Sequence, residues 1–204
     1  MSACVVILTK SPQPGRVKTR LIPALGAEGA ARFHRALVDI TLDKVRRSGL
    51  PAMVSLAGSP DEPFAASIRA QGFAIEPQVS GDLGARLRHA MRGPGRRIAI
   101  GTDCPLFSPQ TLQDAAERSD TLVIGPASDG GYWMLATDTP QDHLFTDIPW
   151  STAQTCSVTL QRAAEQGLRV ELAPEQDDID TPADLQRLLR DPRCPPSLQA
   201  LAPR

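Results

Sequence analysis

Short apolar runs alternate along the chain with longer segments in which apolar residues recur at helical spacing. The first run, Ala3 to Leu8, is continuous and partly β-branched, which predicts a strand buried on both faces. The segment from about Glu28 to Arg47 has helical spacing and stops at Gly49, which predicts a helix. The same patterns predict strands at 52–57, 73–75, 97–100, 121–124, 132–136 and 168–172, and helices at 64–70, 82–92, 109–118, 152–166 and 182–189.

This alternation predicts an α/β fold of three layers, in which helices cover both faces of a mostly parallel sheet. Residues 1–190 are predicted to form a single domain. Residues 191–204 contain four prolines and are predicted to form an irregular tail. Ligands of such sheets bind beyond the carboxyl ends of the strands. The site is therefore expected in the loops that follow Leu8, Ile100, Ile124 and Leu172.

The composition narrows the range of partners. In 204 residues, 22 Lys and Arg side chains balance 23 Asp and Glu, so no overall positive field attracts nucleic acid or an anionic membrane. The four cysteines have no C-x-x-C spacing, which argues against a zinc site or a disulfide framework. The first apolar run is too short for a signal peptide or a membrane span. We therefore expect a cytoplasmic protein without a nucleic-acid partner or membrane insertion; the oligomeric state is not indicated.

The loop after the first strand is basic. From Lys10 to Arg20 there are four cations, two prolines and Gly15, a residue that lets the backbone approach a ligand closely. Lys18 offers a point charge and Arg20 a planar fork, a combination suited to a diphosphate. The spacing fits neither the P-loop nor the dinucleotide-binding fingerprint. The loop is therefore either a phosphate-binding loop of another type or a solvated basic loop.

Two acidic positions predict a metal site. Asp103 follows a predicted strand and lies between Gly101 and Pro105, although an aspartate there can also form a turn or cap a helix. Three of the four residues 177–180 are aspartates, more than the predicted helix start at Pro182 requires. Mg²⁺ and Mn²⁺ are held by one or two carboxylates together with phosphates and waters. Asp103 and one aspartate of the second group would suffice.

Several other residues have both a ligand-binding and a purely structural interpretation. Residues 78–84, which include Gln78 and Gly81, could contact a nucleotide base or simply start a helix capped by an aspartate. Residues 129–133 combine a carboxylate, two glycines and two aromatic rings, which suits a sugar ring but is also a hairpin signal. Trp150 could line the pocket or precede a helix. Histidines 34 and 89 fall on helix patterns, where we expect surface positions rather than catalysts.

Five sequence blocks stand in one order along the chain. They are K-x-P-x-x-G-x-V-K-T-R-L at 10–21, G-D-L-G at 81–84, G-T-D-C-P at 101–105, G-P-A-x-D-G-G-Y at 125–132 and D-I-D-T-P-x-D-L at 178–185. As a set they are specific, and they resemble a bacterial family first described as a domain of unknown function. Its members are regarded as glycosyltransferases, some of the arsenosugar-biosynthesis type. The resemblance covers nearly the whole chain, from Val5 to about Leu189.

The resemblance implies the nucleotide-diphospho-sugar transferase (GT-A) fold and, over residues 1–190, a nucleotide-diphosphate-binding transferase domain. The same fold and similar motifs occur in phospholactate guanylyltransferases and related nucleotidyltransferases. There the first loop holds the nucleotide phosphates, which would make Lys10, Lys18 and Arg20 the phosphate contacts. The strand-end aspartate, here Asp103, would bind Mg²⁺ or Mn²⁺, and Asp180 would complete that metal site.

The predicted site residues fall into three roles besides metal binding. The predicted nucleotide-binding residues are Lys10, Gly15, Lys18, Thr19, Arg20, Gln78 and Gly81. The predicted catalytic residues are Lys18 and Asp129, with Asp142 as the alternative to Asp129 for orienting or deprotonating an acceptor. The predicted acceptor contacts are Gly130, Gly131, Tyr132 and Trp150.

Three functions remain open on the sequence alone. The first, which we favour narrowly, is a glycosyltransferase that uses a nucleotide sugar and a small-molecule acceptor. The second is a nucleotidyltransferase that joins a nucleoside triphosphate to a sugar- or acid-phosphate and releases pyrophosphate. The third is a nucleotide-binding protein without catalytic activity, against which the intact set of basic and acidic residues argues.

Overall fold

The computed structural model describes residues 3–59, 61–138 and 142–202. In this part of the chain the strands are β1 (Ala3–Lys10), β2 (Ala52–Ala57), β3 (Ala74–Pro77), β4 (Arg96–Ile100), β5 (Leu122–Pro126), β6 (Tyr132–Thr137) and β7 (Val170–Leu172). The α-helices are α1 (Ile22–Ser48), α2 (Pro63–Ala70), α3 (Leu83–Ala90), α4 (Pro109–Glu117), α5 (Thr155–Glu165), α6 (Pro182–Arg190) and α7 (Pro196–Gln199). Short 3-10 helices span Thr19–Leu21 and Asp142–Phe145. Every predicted strand and helix is found, most with boundaries within a few residues.

The described strands form one sheet in the order β3-β2-β1-β4-β6-β5-β7. Only β6 among them runs antiparallel to its neighbours, β4 and β5, and every other described pair is parallel. β6 reverses because a short turn over residues 127–131 joins it directly to β5, whereas parallel neighbours need a longer crossover. The predicted α/β class with a mostly parallel sheet is confirmed.

Helices cover both faces of the sheet, because successive strand residues point to opposite sides. In β4, Ile98 and Ile100 share one core cluster with Leu42 of α1 and with residues of α2 and α4. Ala99, between them, belongs to a second cluster with Leu87 of α3 and with residues of α5. The two clusters on opposite faces make the predicted three layers.

The longest described helix, α1, begins at Ile22, earlier than the sequence pattern indicates. Gly26, with a φ of 70°, introduces a kink in its first turns. The helix ends as predicted, since Gly49 takes the left-handed conformation of a C-cap with a φ of 71°. Neither α1 nor any other helix in the described ranges is at once long and apolar enough to cross a membrane.

The predicted irregular tail, residues 191–204, contains the short helix α7, so that expectation is corrected for its described part. Cys194 and Leu198 are buried in a third core cluster with Phe33 and Leu37 of α1. The two side chains cover the apolar surface of α1, and this burial stabilises the short helix α7 against it. Residues 203 and 204 lie outside the described residues, and the assignment of 1–190 as the transferase domain stays a prediction.

Candidate active site

A cleft of about 550 Å³ opens at the carboxyl edge of the sheet. Its lining includes the last residue of β1 and residues from the segments after β4, β5 and β7. These are Lys10, Asp103, Asp129, Asp178 and Asp180. The parallel strands bring these loops to one edge although they are far apart in the chain. The structure therefore has a cleft where the strand ends predict a ligand site.

Lys18 is the cation at the centre of the acidic group. Its Nζ lies 2.6 Å from Oδ1 of Asp103 and 2.8 Å from Oδ1 of Asp180, and its side chain is only 4% exposed. The residue takes a left-handed backbone conformation, with φ and ψ both 44°, which ends the basic loop and begins the 3-10 turn. Burial disfavours its ammonium, but the two carboxylates outweigh burial and raise the pKa of Lys18.

Three carboxylates surround this ammonium. One oxygen from each of Asp103, Asp178 and Asp180 lies within 4.8 Å of the others, close enough to share one ion. Burial, followed by the charges of Asp103 and Asp180, raises the pKa of Asp178 to about 8. Burial acts in the same direction on Asp103, but the ammonium of Lys18 outweighs it and lowers the pKa of that carboxyl. The cluster thus carries more negative charge than Lys18 alone neutralises.

Local structure explains why Asp178 and Asp180 face the same way. Ile179 between them is buried, 1% exposed, and its backbone N–H donates to the carbonyl of Asp103 over 3.1 Å. In extended chain the residues on either side of a buried one point together to the other face. Next, α6 starts at Pro182 as predicted, with Thr181 as its N-cap. Thr181 and Asp184 form a capping box, and Asp184 accepts hydrogen bonds from the N–H groups of Asp180 and Thr181.

The donor set fits a divalent ion of the predicted kind. Mg²⁺ and Mn²⁺ prefer oxygen ligands, and Asp103, Asp178 and Asp180 are all carboxylates. The pKa of Asp178 is raised first by burial and then by the neighbouring charges of Asp103 and Asp180, and a bound cation would offset that crowded negative charge. Sequence reasoning placed Asp178 among the candidates without choosing it; its i, i+2 relation to Asp180 is the signal that could have selected both.

The remaining predicted phosphate contacts lie around the mouth of the cleft. Lys10, at the end of β1, is exposed and lines the cleft. Arg20 is 71% exposed, with Nη1 3.8 Å from Oδ2 of Asp180. Thr19 is exposed in the 3-10 turn, and Gly15 has a φ of 76° with open space where a side chain would stand. Gly15, Thr19 and Arg20 are not part of the described lining, so their predicted roles rest on the sequence and, for Arg20, on its position beside Asp180.

Gln78 and Gly81 occupy the loop between β3 and α3. The Nε2 amide of Gln78 donates to the carbonyl groups of Ser55 and Thr9, over 2.8 and 3.2 Å, and the side chain lines the cleft. Gly81 lies outside the described lining and has a φ of 117°, which few other residues adopt. It leads into Asp82, whose Oδ1 caps α3 by accepting from the N–H of Ala85 over 2.8 Å.

The turn from β5 to β6 brings Asp129 and Gly131 to the cleft. Oδ1 of Asp129 accepts a hydrogen bond from the Gly131 N–H over 2.8 Å, and both residues line the cleft. Gly130 turns away with a φ of 87°, and a Cβ there would lie 2.3 Å from the carbonyl oxygen of Ala153. This packing requires a glycine at position 130, and the contact of Gly130 with an acceptor stays a prediction.

The two predicted aromatic contacts differ in position. Tyr132 lines the cleft, and burial raises the pKa of its phenol. Trp150 is outside the described lining and packs edge-on against Tyr132, with ring centroids 6.5 Å apart, and against Gly84. The prediction that Trp150 lines the pocket is therefore corrected, because its ring fills the space between α3 and Tyr132. Asp142 is also outside the described lining, with Oδ2 4.0 Å from Nη2 of Arg92, so of the two carboxylates only Asp129 lines the cleft.

Among the basic side chains that line the cleft, His34 and Arg86 were not predicted. His34, expected on the surface, is 5% exposed and lines the cleft; its Nε2 lies 3.0 Å from the carbonyl oxygen of Lys10. Burial lowers the pKa of this imidazole. Arg86 on α3 also lines the cleft. Its signal in the sequence is the helical spacing from Leu83, three residues earlier, which puts both on one side of α3.

Comparison with known proteins identifies the family. The sequence profile of the family described as "Uncharacterized protein conserved in bacteria (DUF2064)" matches residues 41–152, more than half of the chain. The chain belongs to this family. The match contains Asp103 and Asp129 and confirms the resemblance drawn from the sequence blocks. No curated protein matches the sequence significantly.

Solved structures share the fold. A "putative nucleotide-diphospho-sugar transferase" from Desulfovibrio desulfuricans G20 is 29% identical, with a TM-score of 0.88 over 98% of this chain and 94% of that one. A nucleotidyl transferase from Methanothermobacter thermautotrophicus is 18% identical, with a TM-score of 0.60 over 92% of this chain and 95% of that one. Glucosyl-3-phosphoglycerate synthase from Mycobacterium tuberculosis, in complex with Mn²⁺, UDP and phosphoglyceric acid, is 12% identical, with a TM-score of 0.54 over 92% and 74%. The last two likenesses concern the fold alone.

Proposed function

We propose that this protein is a transferase for nucleotide-linked substrates, and specifically a metal-dependent glycosyltransferase with a nucleotide-sugar donor and a small-molecule acceptor. The observation that carries the proposal is the group of Asp103, Asp178 and Asp180 around Lys18, in a cleft at the carboxyl edge of the sheet. The similarity at 29% identity to a protein described as a nucleotide-diphospho-sugar transferase supports the choice of donor.

The acidic group and the basic loop would bind the donor diphosphate together. Asp103, Asp178 and Asp180 would hold one Mg²⁺ or Mn²⁺, which, when bound, offsets the phosphate charge and stabilises the departing nucleoside diphosphate. Lys10 and Arg20 are exposed and can turn toward the phosphates. Such pre-placed charges contribute most where charge develops in the transition state, here on the leaving phosphate oxygen.

Asp129 is the proposed base for the acceptor. Its Oδ1 is held by the Gly131 N–H, while the described residues give Oδ2 no hydrogen bond. Oδ2 would take the proton from the acceptor hydroxyl as that oxygen bonds to the anomeric carbon. As the new bond forms, the bond from this carbon to the diphosphate oxygen breaks, and the nucleoside diphosphate leaves with the electron pair.

Nucleotidyl transfer is the second candidate, favoured by the arrangement of the first loop. Besides the buried Lys18, this loop has two exposed cations, Lys10 in the cleft lining and Arg20 beside Asp180, and a triphosphate could use all three. In that reaction a phosphate oxygen of the acceptor attacks the α-phosphate, and pyrophosphate leaves.

The products distinguish the two reactions. The protein is incubated with Mn²⁺, a small-molecule extract as acceptor and either mixed nucleotide sugars or mixed nucleoside triphosphates. Glycosyl transfer predicts release of a nucleoside diphosphate that is lost in Asp103→Asn. Release of pyrophosphate from triphosphates, with none of the diphosphate from any sugar donor, would replace the first proposal by the second. If neither product forms and no nucleotide raises the melting temperature with Mn²⁺, both proposals fail; binding at 100 times Kd adds about 2.7 kcal/mol of stability.

A further inference from the structure

Arg86 is a cation in the cleft wall that neither proposed reaction uses. It lies on α3 and lines the cleft. No described carboxylate lies within ion-pair distance of its guanidinium, and its Nε is buried without a hydrogen-bond partner. A buried donor without a partner costs stability. Arg88 and Arg97 also have a buried Nε without a partner, but of the three only Arg86 lines the cleft, where a bound ligand can supply the missing partner.

Arg86 has one buried and one exposed apolar neighbour on α3. Leu87, the next residue, is 5% exposed in the core and anchors α3 to the sheet. Leu83, three residues before Arg86, also lines the cleft and is 40% exposed; in the described part of the chain it is one of only two large hydrophobic side chains with this much exposure. This side of α3 therefore presents an unpaired guanidinium beside an open apolar surface.

Arg86 and the phosphate loop reach the cleft from opposite faces of the sheet. Lys18 and His34 come from the loop after β1 and from α1, whose helix packs on one face. Arg86 comes from α3, which packs on the other face. The proposed function places the donor diphosphate at the carboxylates and Lys18. Arg86 enters the cleft from the other face of the sheet, so it is free to bind a different group. Since no described carboxylate pairs with Arg86, a second anion can bind there without direct competition from the acidic cluster.

We propose that Arg86 binds a phosphate or carboxylate group of the second substrate, so that the acceptor is an anion. Arginine suits both groups because its planar fork can donate two parallel hydrogen bonds to either. This inference rests on the proposed function, since the acceptor is defined by that reaction, but the anion site can be measured without turnover.

The test is calorimetry on the full chain with inorganic phosphate and, separately, acetate. The protein is first saturated with Mn²⁺ and a mixture of nucleoside diphosphates, so that the Lys18 side is occupied. We expect the wild type to bind at least one of the two anions, and Arg86→Gln to bind it at least about tenfold more weakly, the loss of a charge-assisted hydrogen bond. Arg88→Gln is the matched control: Arg88 is on the same helix, also has a buried Nε without a partner, and lies outside the described lining.

The outcomes separate this inference from the proposed function. The inference would be overturned if wild type and Arg86→Gln bound the anion equally well, or if the wild type bound neither anion. It would also be overturned if the wild type bound an anion only before saturation with nucleotide, a result that would assign Arg86 to the nucleotide. Arg86→Lys keeps the charge without the fork and should have intermediate affinity, which provides the test if Arg86→Gln does not fold. An Asp103→Asn variant that still binds Mn²⁺ and nucleotide would refute the proposed metal site while leaving the Arg86 result intact.

Discussion

Metal binding to this protein is expected to release a proton from Asp178. Burial and the neighbouring charges of Asp103 and Asp180 raise the pKa of the Asp178 carboxyl to about 8. A carboxylate must be deprotonated before it can bind a metal ion. At neutral pH the metal-free protein therefore holds a proton on Asp178 that must leave when Mg²⁺ or Mn²⁺ binds.

The size of the effect follows from that pKa. At pH 7 the protonated fraction of Asp178 is 1/(1 + 10^(7−8)), or about 0.9, so binding should release about 0.9 proton. Acid favours the protonated form, which does not bind metal. The apparent Kd should therefore rise about tenfold for each unit by which the pH falls below 8, and it should change little well above 8.

Calorimetry measures the released proton directly. Titration with Mn²⁺ at pH 7, in PIPES and in Tris, gives the number of protons from the difference in the heats of buffer ionisation. Asp178→Asn should remove the release, whereas Asp177→Asn, a change at the exposed neighbour outside the described lining, should keep it. A wild-type affinity that does not change between pH 6 and 8, or an undiminished release in Asp178→Asn, would refute the reasoning; if that variant binds too weakly, the wild-type value decides.

Three further predictions concern single side chains. Lys18→Met should lower the free energy of unfolding of the metal-free protein by about 1–3 kcal/mol in urea titrations, less than for a fully buried pair because its two carboxylate partners are about two-fifths exposed. Arg96, 1% exposed, is paired with Asp138 over 2.7 Å. Arg96→Ala should lower the free energy of unfolding by about 3–5 kcal/mol, because it leaves the Asp138 carboxylate without its partner, and the double variant Arg96→Met with Asp138→Leu should lower it clearly less. An equal loss in both variants would contradict this account of the pair. Gly130→Ala should lower the melting temperature, because its Cβ would meet the Ala153 carbonyl; an unchanged value would contradict the geometry of this turn.

The elements of the fold could be read from local patterns. β2 spans Ala52–Ala57 as predicted, α4 begins at Pro109 behind its Ser108 cap, and α1 ends at Gly49. Each signal depends on a few neighbouring residues: a run of apolar side chains, a capping hydroxyl, a glycine that tolerates positive φ. The described part of the tail departs from its prediction because Leu198 is stabilised by α1, which is distant in sequence.

The candidate site could be predicted only in outline. Asp103, Asp180 and Lys18 were selected by their positions near strand ends and in family blocks, and the structure brings them together; their roles stay predictions. Asp178 was left open, although its i, i+2 relation to Asp180 puts both carboxylates on one side of an extended segment. The local pattern alone does not say which side of that segment faces the cleft. His34 was expected on the surface, because the pattern of α1 does not include the loop that covers it.

What the sequence determined by itself was the succession of strands and helices, the edge of the sheet at which polar loops gather, and the chemistry of those loops. The tertiary structure alone decided which of these residues meet. Lys18 and Asp180 are 162 positions apart and are joined at 2.8 Å, while Trp150, close in sequence to the cleft loops, packs behind Tyr132. The physical reason is that helix and strand preferences act over a few residues, whereas strand order and side-chain partners depend on long-range packing of the whole sheet.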